Sequence, residues 1–223
     1  MRTLLTLALV ILLCGAASVA SAVSPNLRIS QIYGGAGTST AVYNVDYVEL
    51  FNFSNLPVSL NGWSVQYAAS TGTFNSLLVF PVSAVIQPCG YYLVAMAGGA
   101  AGAPLPVLPD AVGTIAMSAT SGKIALVRTT TAVGACPPPP AITVDLVGYG
   151  SAATCAETLP TPTLSAATAV LRRDGGMTDT DNNSIDFAVA PPAPRGSGSA
   201  VNSNCQAVAA EPVSWGALKA SYR

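Results

Sequence analysis

The 223-residue sequence contains no histidine and few charged residues. Without histidine, the chain cannot build a Ser-His-Asp triad, a Cys-His nucleophile or a His-ligated metal site. Charged residues make up only 9% of the chain, and 9 Lys and Arg stand against 10 Asp and Glu, for a formal net charge of −1. The sequence has no basic stripe that would attract a phosphate backbone. These absences exclude histidine-dependent catalysis and argue against strong non-specific binding of nucleic acid.

Long hydrophobic runs are also lacking. The longest one, Leu4 to Leu13, has ten residues, whereas a membrane-spanning helix needs about 20. Arg2 precedes this run and the small residues Ala20-Ser21-Ala22 follow it, as in a secretory signal peptide. A lipoprotein would have a small residue before its cysteine, but Leu13 precedes Cys14. We therefore expect residues 1–22 to be a cleavable signal peptide and the mature protein to be secreted and not inserted in a membrane.

Four cysteines remain after residue 22, and no two of them form a CxxC pair. An even number of cysteines in an exported chain indicates two disulfides, and the missing histidines and CxxC pairs argue against zinc. The sequence alone permits three pairings. We favour Cys136–Cys155, which closes a short Pro-rich loop and contributes about 3 kcal/mol in the chain-entropy model. Cys89–Cys205 then follows by elimination.

Apolar and polar residues alternate along most of the chain, and helical stripes are nearly absent. Turn residues such as Asn61-Gly62 and Pro88-Cys89-Gly90 separate the alternating runs. This pattern predicts an all-β domain over residues 23–190, an antiparallel β-sandwich of about seven to nine strands. The Pro-, Gly- and Ser-rich residues 191–212 are expected to form a linker that packs no core, and residues 213–223 a C-terminal tail peptide.

The segment DYVELFNFSNLPVSLNGWSVQY, residues 46–67, contains acids and aromatics that could form either a site or a scaffold. Asp46 and Glu49 are three residues apart on a predicted strand and therefore lie on opposite faces, so they cannot act as an acid–base pair. Its alternating apolar residues predict a core instead, formed by Val48, Leu50, Leu60, Trp63 and Val65. Farther along, we expect Tyr91 and Tyr92 to face opposite sides of a strand, with one of them exposed.

Acidic residues cluster only in RRDGGMTDTDNNSIDF, residues 172–187. Asp179, Asp181 and Asn183 alternate as calcium ligands do, but Ser184 and Ala190 stand where an EF-hand loop needs Gly and Glu. We favour an Asx-rich turn whose side chains cap backbone amides. The alternative is a calcium site of another type, with Asp179, Asp181, Asn183 and Asp186 as its candidate metal ligands. We expect no other cofactor.

Arg172 and Arg173 end the strand that precedes these acids. Two adjacent guanidinium groups could bind an anion. We favour the other use, in which they pair with Asp174 or Asp186.

The elements in this order resemble the lamin-tail domain family, in its secreted bacterial branch. The blocks that carry the resemblance are LRISQIYGGAG, DYVELFN, LPVSLNGWSVQY, PCGYYLV, SGKIALV, DLVGYG and TDTDNNSIDF. The resemblance covers approximately residues 27–195. The resemblance implies an immunoglobulin-like antiparallel β-sandwich. It also implies a non-catalytic module of the kind that accompanies extracellular nucleases and phosphoesterases in bacteria, although no hydrolase segment is present in these 223 residues.

We therefore predict a secreted, non-enzymatic module that acts by binding or as a structural surface, with an extracellular protein or a cell-surface component as its partner. The alternative is an accessory module of extracellular nuclease or phosphoesterase systems. In that alternative, the acidic residues 174–186 bind nucleic acid or a divalent metal. Metal-dependent turnover would require further groups that complete a metal shell or position a water.

Overall fold

The computed structural model describes residues 26–205, which form twelve strands and two single helical turns. The strands are β1 (Leu27–Tyr33), β2 (Val45–Asn52), β3 (Val58–Ser59), β4 (Ser64–Ala69), β5 (Ser76–Val79), β6 (Val85–Ile86), β7 (Tyr91–Gly98), β8 (Ala111–Val112), β9 (Gly122–Val127), β10 (Thr143–Tyr149), β11 (Ala169–Arg172) and β12 (Phe187–Ala190); the helical turns are α1 (Arg173–Gly176) and α2 (Asn183–Asp186). The expected signal peptide, residues 1–22, and the expected tail, residues 213–223, lie outside the described residues. Across residues 26–205, no helix has the length and apolar character to cross a membrane.

Two larger sheets build the domain. The first has six strands in the order β12-β11-β1-β2-β7-β8, and the second has four in the order β10-β9-β4-β5, while β3 and β6 pair separately. All the pairings are antiparallel except that of β7 with β8. The prediction of an all-β antiparallel sandwich is confirmed. The three strands beyond the expected nine, β3, β6 and β8, have two residues each.

Apolar side chains from both sheets meet in one main core. Val48 and Leu50 of β2, Val65 of β4 and the loop residue Leu60 have no exposed surface there, and Trp63 packs against them at the edge. Fully burying a side chain of this kind stabilises the fold by roughly 1.5–3 kcal/mol. The apolar residues of segment 46–67 therefore form scaffold, as predicted.

The other face of β2 is buried as well. Tyr47, Glu49 and Phe51 alternate with the core residues of this strand, and none of the three is exposed. The ring of Tyr47 stacks on that of Tyr33 with centroids 5.4 Å apart. A sheet in a two-layer sandwich usually has one solvated face, so a further segment must cover this one.

The covering segment is the C-terminal strap, a name we give to residues 191–205. Within it, Nη2 of Arg195 lies 2.7 Å from Oε1 of Glu49, and the Arg195 backbone N–H donates to Glu49 Oε2 at 2.7 Å. The guanidinium of Arg195 also lies over the ring of Tyr91, 3.7 Å from its centroid. The backbone N–H of Ala193 donates to Oε1 of Gln31 at 2.8 Å. The expectation of a linker over 191–212 is therefore wrong for residues 191–205, because polar contacts hold this segment where its composition provides little apolar packing.

Both tyrosines at the start of β7 are buried, and the strap accounts for the burial of Tyr91. Tyr91 and Tyr92 are 3% and 5% exposed, so the expectation that one of them is exposed is wrong. Tyr92 belongs to the main core. Tyr91 lies on the other face, in a cluster with Phe51, Cys89 and Cys205.

Two disulfides join the four cysteines, Cys136 to Cys155 and Cys89 to Cys205. This is the pairing that we favoured from the sequence. The first bond spans a sequence separation of 19 residues, and the second spans 116. The second disulfide joins Cys205, at the end of the strap, to Cys89 in the turn that precedes β7. The strap is therefore fixed covalently as well as by Arg195.

Candidate functional site

The acidic loop, residues 174–186, connects β11 with β12 and folds around its own side chains. Asp186 is fully buried, and its carboxylate accepts hydrogen bonds from the Thr180 backbone N–H at 3.0 Å and from Thr180 Oγ1 at 2.8 Å. Asn182 precedes α2, and its Oδ1 accepts from the Ser184 backbone N–H at 3.2 Å. Side chains of this kind satisfy amides that a short turn leaves unpaired. The loop therefore contains Asx contacts of the type that we favoured.

Arg172 lies at the centre of this region and has no exposed side-chain surface. Its Nε donates to the Ile29 carbonyl at 2.9 Å, its Nη2 to Asp145 Oδ2 at 2.9 Å and its Nη1 to Asp179 Oδ1 at 3.2 Å. Burial lowers the pKa of Arg172, but the charges of Asp145, Asp179 and neighbouring carboxylates have the larger, opposite effect. The pKa of Arg172 therefore lies above its ordinary value. The guanidinium stays charged and its donors point to groups of the fold. Arg172 therefore offers no free donor set to an anion from solution.

Arg173 and Asp174, by contrast, are exposed and do not pair with each other. Nε of Arg173 donates to the Ile185 carbonyl at 2.9 Å, and Asp174 accepts from Thr178 Oγ1 at 2.6 Å. The two arginines of the candidate anion site are thus in different environments, one buried and one at the surface. The structure does not bring them together as one anion-binding pair, and of the two pairings we favoured, only Arg172 with Asp186 occurs, at 3.6 Å.

Asp179 is held between two arginines. Its Oδ1 lies 3.2 Å from Arg172 Nη1, and its Oδ2 lies 3.0 Å from Nε of Arg28 in β1. Arg28 in turn lies over the ring of Phe53, 3.7 Å from its centroid. Sequence reasoning missed Arg28 and Asp145, because their distance along the chain from the acidic loop gives no local signal of contact.

Glu157 is the second acidic residue that sequence reasoning missed. It is 8% exposed, and one of its oxygens lies within 4.8 Å of oxygens of Asp179 and Asp186. Burial, followed by the charge of Asp145, raises the pKa of Glu157 to about 9. Glu157 has no ion pair with any residue of the range 26–205. The one sequence signal is that Glu157 is the sole acid between Asp145 and Asp174, two residues after a disulfide cysteine.

Asn183, predicted as a possible metal ligand, has its amide occupied on both sides. Its Oδ1 accepts from the backbone N–H of Gly148 at 2.9 Å and of Glu157 at 3.3 Å. Its Nδ2 donates to the Leu146 carbonyl at 3.1 Å and to Glu157 Oε2 at 3.0 Å. Asn183 therefore joins β10, Glu157 and α2, and its oxygen is not free for a cation.

Asp181, the remaining candidate ligand, is the least satisfied of the acids. Its Oδ1 is buried and has no hydrogen-bond partner among residues 26–205. Its backbone is left-handed, with φ +56°, a region that Asp enters more readily than most residues. Its backbone carbonyl accepts from Thr158 Oγ1 at 2.7 Å, which places Asp181 beside Glu157 in the fold.

The acidic cluster, as we name the five carboxylates of this region, has more negative charge than the arginines neutralise. Its members are Asp145, Glu157, Asp179, Asp181 and Asp186, and the arginines facing them are Arg28 and Arg172. Such a site can hold a proton or a cation. It does not resemble an acid–base pair for hydrolysis, because no described histidine or activated nucleophile faces it.

Two sheets closed over a shared core define the class of protein, an immunoglobulin-like β-sandwich. The chain belongs to the lamin tail domain family, whose model matches residues 20–180. This confirms the resemblance noted in the sequence. The fold is also similar to the crystal structure of a DUF4876 family protein from Bacteroides thetaiotaomicron VPI-5482, with a TM-score of 0.55, 14% sequence identity and coverage of 81% of this chain and 75% of that chain. At this identity the likeness concerns the fold alone. No curated protein matches the chain.

Proposed function

We propose that this protein is an exported, non-catalytic module of the lamin tail domain family that binds an extracellular protein or a cell-surface component. The observation that carries the proposal is that Arg172, Asp179 and Asp186, in and beside the acidic loop, bond to groups of the fold. Arg172 and Asp179 bond to each other and to neighbouring strands, and Asp186 bonds to the backbone of its own loop. A hydrolytic site needs such groups free to meet a substrate or water.

The composition of the surface supports recognition by shape and hydrogen bonds. Charged residues make up 9% of the chain, and several of them are buried in ion pairs. Exposed apolar side chains occur in separate parts of the chain, with Leu56, Val82, Leu108 and Val112 each more than 60% exposed. A surface with little charge gives weak electrostatic steering, so association would depend on close contact.

The cysteines support export. Two disulfides in a domain of this size are typical of oxidising compartments. If residues 1–22 are a signal peptide, the protein recovered from the culture medium begins at Val23, and its intact mass shows four cysteines paired. Recovery of a chain that retains residues 1–22 in the cytosol would contradict export.

A plasmid assay tests the non-catalytic part of the proposal. The purified secreted form is incubated with supercoiled plasmid, with calcium and magnesium in one arm and EDTA in the other, and both nicking and mobility are read on one gel. We expect unchanged plasmid in both arms. Metal-dependent nicking that survives repurification and disappears in the Asp181→Asn variant, but not in the Asp174→Asn control, would overturn the proposal.

Retardation of the plasmid without nicking would also overturn it, in favour of the accessory-module alternative. In that case binding should weaken steeply with salt, since phosphate contacts release counterions. Arg173, the exposed arginine just before the acidic loop, is the residue to replace first. Loss of retardation in Arg173→Ala with unchanged unfolding would assign the contact to the acidic-loop surface.

A further inference from the structure

We propose that the free edge of β5 binds the same edge of a second copy of this chain, so that the two four-stranded sheets join into one. The pairing is antiparallel, about a two-fold axis at Leu78. This inference concerns self-association and does not depend on the binding function proposed above. Three features of the strand point to this partner: the direction of two backbone amides, the lack of charge around the edge, and the protection of the other sheet edges.

β5 ends the second sheet, and its pairing with β4 shows which of its backbone groups point outwards. The backbone N–H of Phe80 donates to the Trp63 carbonyl at 3.1 Å, as a hydrogen-bonded pair that continues the register of β4 with β5. Hydrogen-bonded and non-hydrogen-bonded pairs alternate along an antiparallel ladder. Leu78 therefore bonds to β4 as well, whereas the N–H and C=O groups of Leu77 and Val79 point away from it. Within the described part of the chain, these outward groups have no hydrogen-bond partner.

The outward groups are complementary to themselves. A second β5 turned by half a turn about an axis at Leu78 places Leu77 of one copy opposite Val79 of the other, and the reverse. Both pairs are then of the type that exchanges two backbone hydrogen bonds. A two-fold interface requires a surface that is complementary to itself, and the edge of β5 meets this requirement.

The chain around this edge has no charge that would repel a second copy. No Asp, Glu, Lys or Arg occurs between Glu49 and Asp110, a stretch that contains β3 to β7. Arg128 follows β9, on the other side of β4 from β5, and its guanidinium lies over the Trp63 ring, 5.1 Å from its centroid. Exposed edge strands are usually protected by charged side chains, especially Lys. β5 instead exposes 44% of Val79, so two copies can approach without like-charge repulsion and bury apolar surface.

The other sheet edges within residues 26–205 are protected. β12 runs directly into Pro191 and Pro192, which have no N–H to donate to a further strand. The outer edge of β10 is bonded by the segment that follows it, since the Thr161 N–H donates to the Gly148 carbonyl at 2.9 Å. β3, β6 and β8 have only two residues each. β5 is therefore the edge best placed to pair with another strand.

Sedimentation equilibrium of the purified secreted form tests the pairing. From about 1 µM to about 1 mM, a span that covers weak complexes, we expect the mass to rise from monomer to dimer. The association should be weak, since a strand of 4 residues buries less than the roughly 1,200 Å² of stable interfaces. A monomer over the whole span would overturn the proposal and leave the edge to an extended strand of another protein.

Amide exchange followed by nuclear magnetic resonance identifies the bonded groups. In the dimer the outward N–H groups of Leu77 and Val79 should exchange with deuterium more slowly than in the monomer, because they become hydrogen-bonded. A dimer in which the exchange of these two amides does not change would overturn the proposal.

Charge placed at the edge locates the contact. In the two-fold arrangement the Val79 side chains of the two copies are diagonal neighbours, about 7–8 Å apart and within reach of long side chains. Val79→Lys and Val79→Glu should each weaken dimerisation by about tenfold or more through like-charge repulsion, and an equal mixture of the two should restore it. Val189→Lys is the matched control, since Val189 is 38% exposed on the edge strand β12, and it should dimerise as wild type does. A dimer that persists in both Val79 variants, no recovery in the mixture, or loss of the dimer in Val189→Lys would overturn the proposal.

Discussion

Replacing Arg195 by methionine would show how strongly the strap is attached. Arg195 donates from Nη2 to Glu49 Oε1 at 2.7 Å, from Nε to Oε2 at 3.2 Å and from Nη1 to Tyr91 Oη at 2.6 Å. Methionine keeps a long apolar stem but has no donor. Because Glu49 is fully buried, the substitution leaves an unpaired charge in the interior. Removing one partner of such a pair costs about 3–5 kcal/mol, a large part of a typical unfolding free energy of 5–15 kcal/mol.

The loss should depend on pH, with a sign that follows from Glu49. Burial raises the pKa of Glu49 above 4.5, and Arg195 lowers it by hydrogen bonding and charge. Without Arg195 this pKa rises further. A carboxyl whose folded pKa is raised loses stability as the pH increases from its unfolded pKa to its folded pKa. We therefore expect the deficit of Arg195→Met to be smaller at about pH 5 than at about pH 8.

Urea unfolding at both pH values measures the effect, with the midpoint and slope followed by circular dichroism. Glu49→Gln and the double variant complete a cycle, in which the coupling between the two sites should reach roughly 1–3 kcal/mol. Arg173→Met is the control, since this exposed arginine bonds only to the Ile185 carbonyl, and its effect should stay within about 0.5 kcal/mol. A deficit below about 1 kcal/mol for Arg195→Met, or one that does not change with pH, would refute this account of the strap.

Three further predictions concern stability. Removing the Cys89–Cys205 disulfide by double alanine substitution should lower the unfolding free energy by about 5 kcal/mol, and removing the shorter-loop disulfide by about 3 kcal/mol, from the loop lengths; equal losses in urea unfolding would contradict this order. Burial raises the pKa of Asp46 to about 6 from 3.8, so the unfolding free energy should fall by up to about 3 kcal/mol as the pH increases through that window. In Asp46→Asn the unfolding free energy should depend less steeply on pH. A pH dependence unchanged from wild type would mean that other groups cause it. Leu50→Ala should cost 2–5 kcal/mol in the fully buried core, whereas Leu108→Ala, 90% exposed, should cost less than about 0.5 kcal/mol; similar losses would contradict the assigned burial.

The core of the sandwich could be predicted from the sequence because it depends on local alternation. Val48 and Leu50 are two residues apart, and the pattern places both on one face of β2 whatever the rest of the chain does. The burial of the other face could not be predicted in this way. Tyr47, Glu49 and Phe51 mix aromatic and charged character, and their burial depends on a strap some 140 residues farther along.

The C-terminal boundary of the domain also depends on long-range contacts that local sequence patterns do not show. Residues 191–205 have the composition of a linker, and apolar patterning contains no signal that they pack. Three contacts attach them to the sheet: the hydrogen bond of Arg195 to Glu49, that of Ala193 to Gln31, and the disulfide at Cys205. Each contact joins residues more than 100 positions apart. Specific polar contacts over such distances leave no periodicity that a single sequence could reveal.

The acidic loop could be predicted in part. Its Asx contacts are local, since Thr180, Asn182 and Asp186 lie within seven residues, and the turn chemistry of these residues predicts them. Its environment could not be predicted, because Arg28, Asp145 and Glu157 arrive from β1, β10 and the segment after Cys155. The partners that determine the charge of the loop are therefore those that the local pattern does not contain.

The place of β1 within its sheet has a consequence for how the chain is made. β1 pairs with β2 on one edge and with β11 on the other, and Arg172 of β11 donates to the Ile29 carbonyl of β1. Pairing between segments so far apart forms late. Until β11 has been synthesised, one edge of the first strand stays open, and open edges of this kind pair readily with other chains. The strands made last therefore protect the strand made first from aggregation.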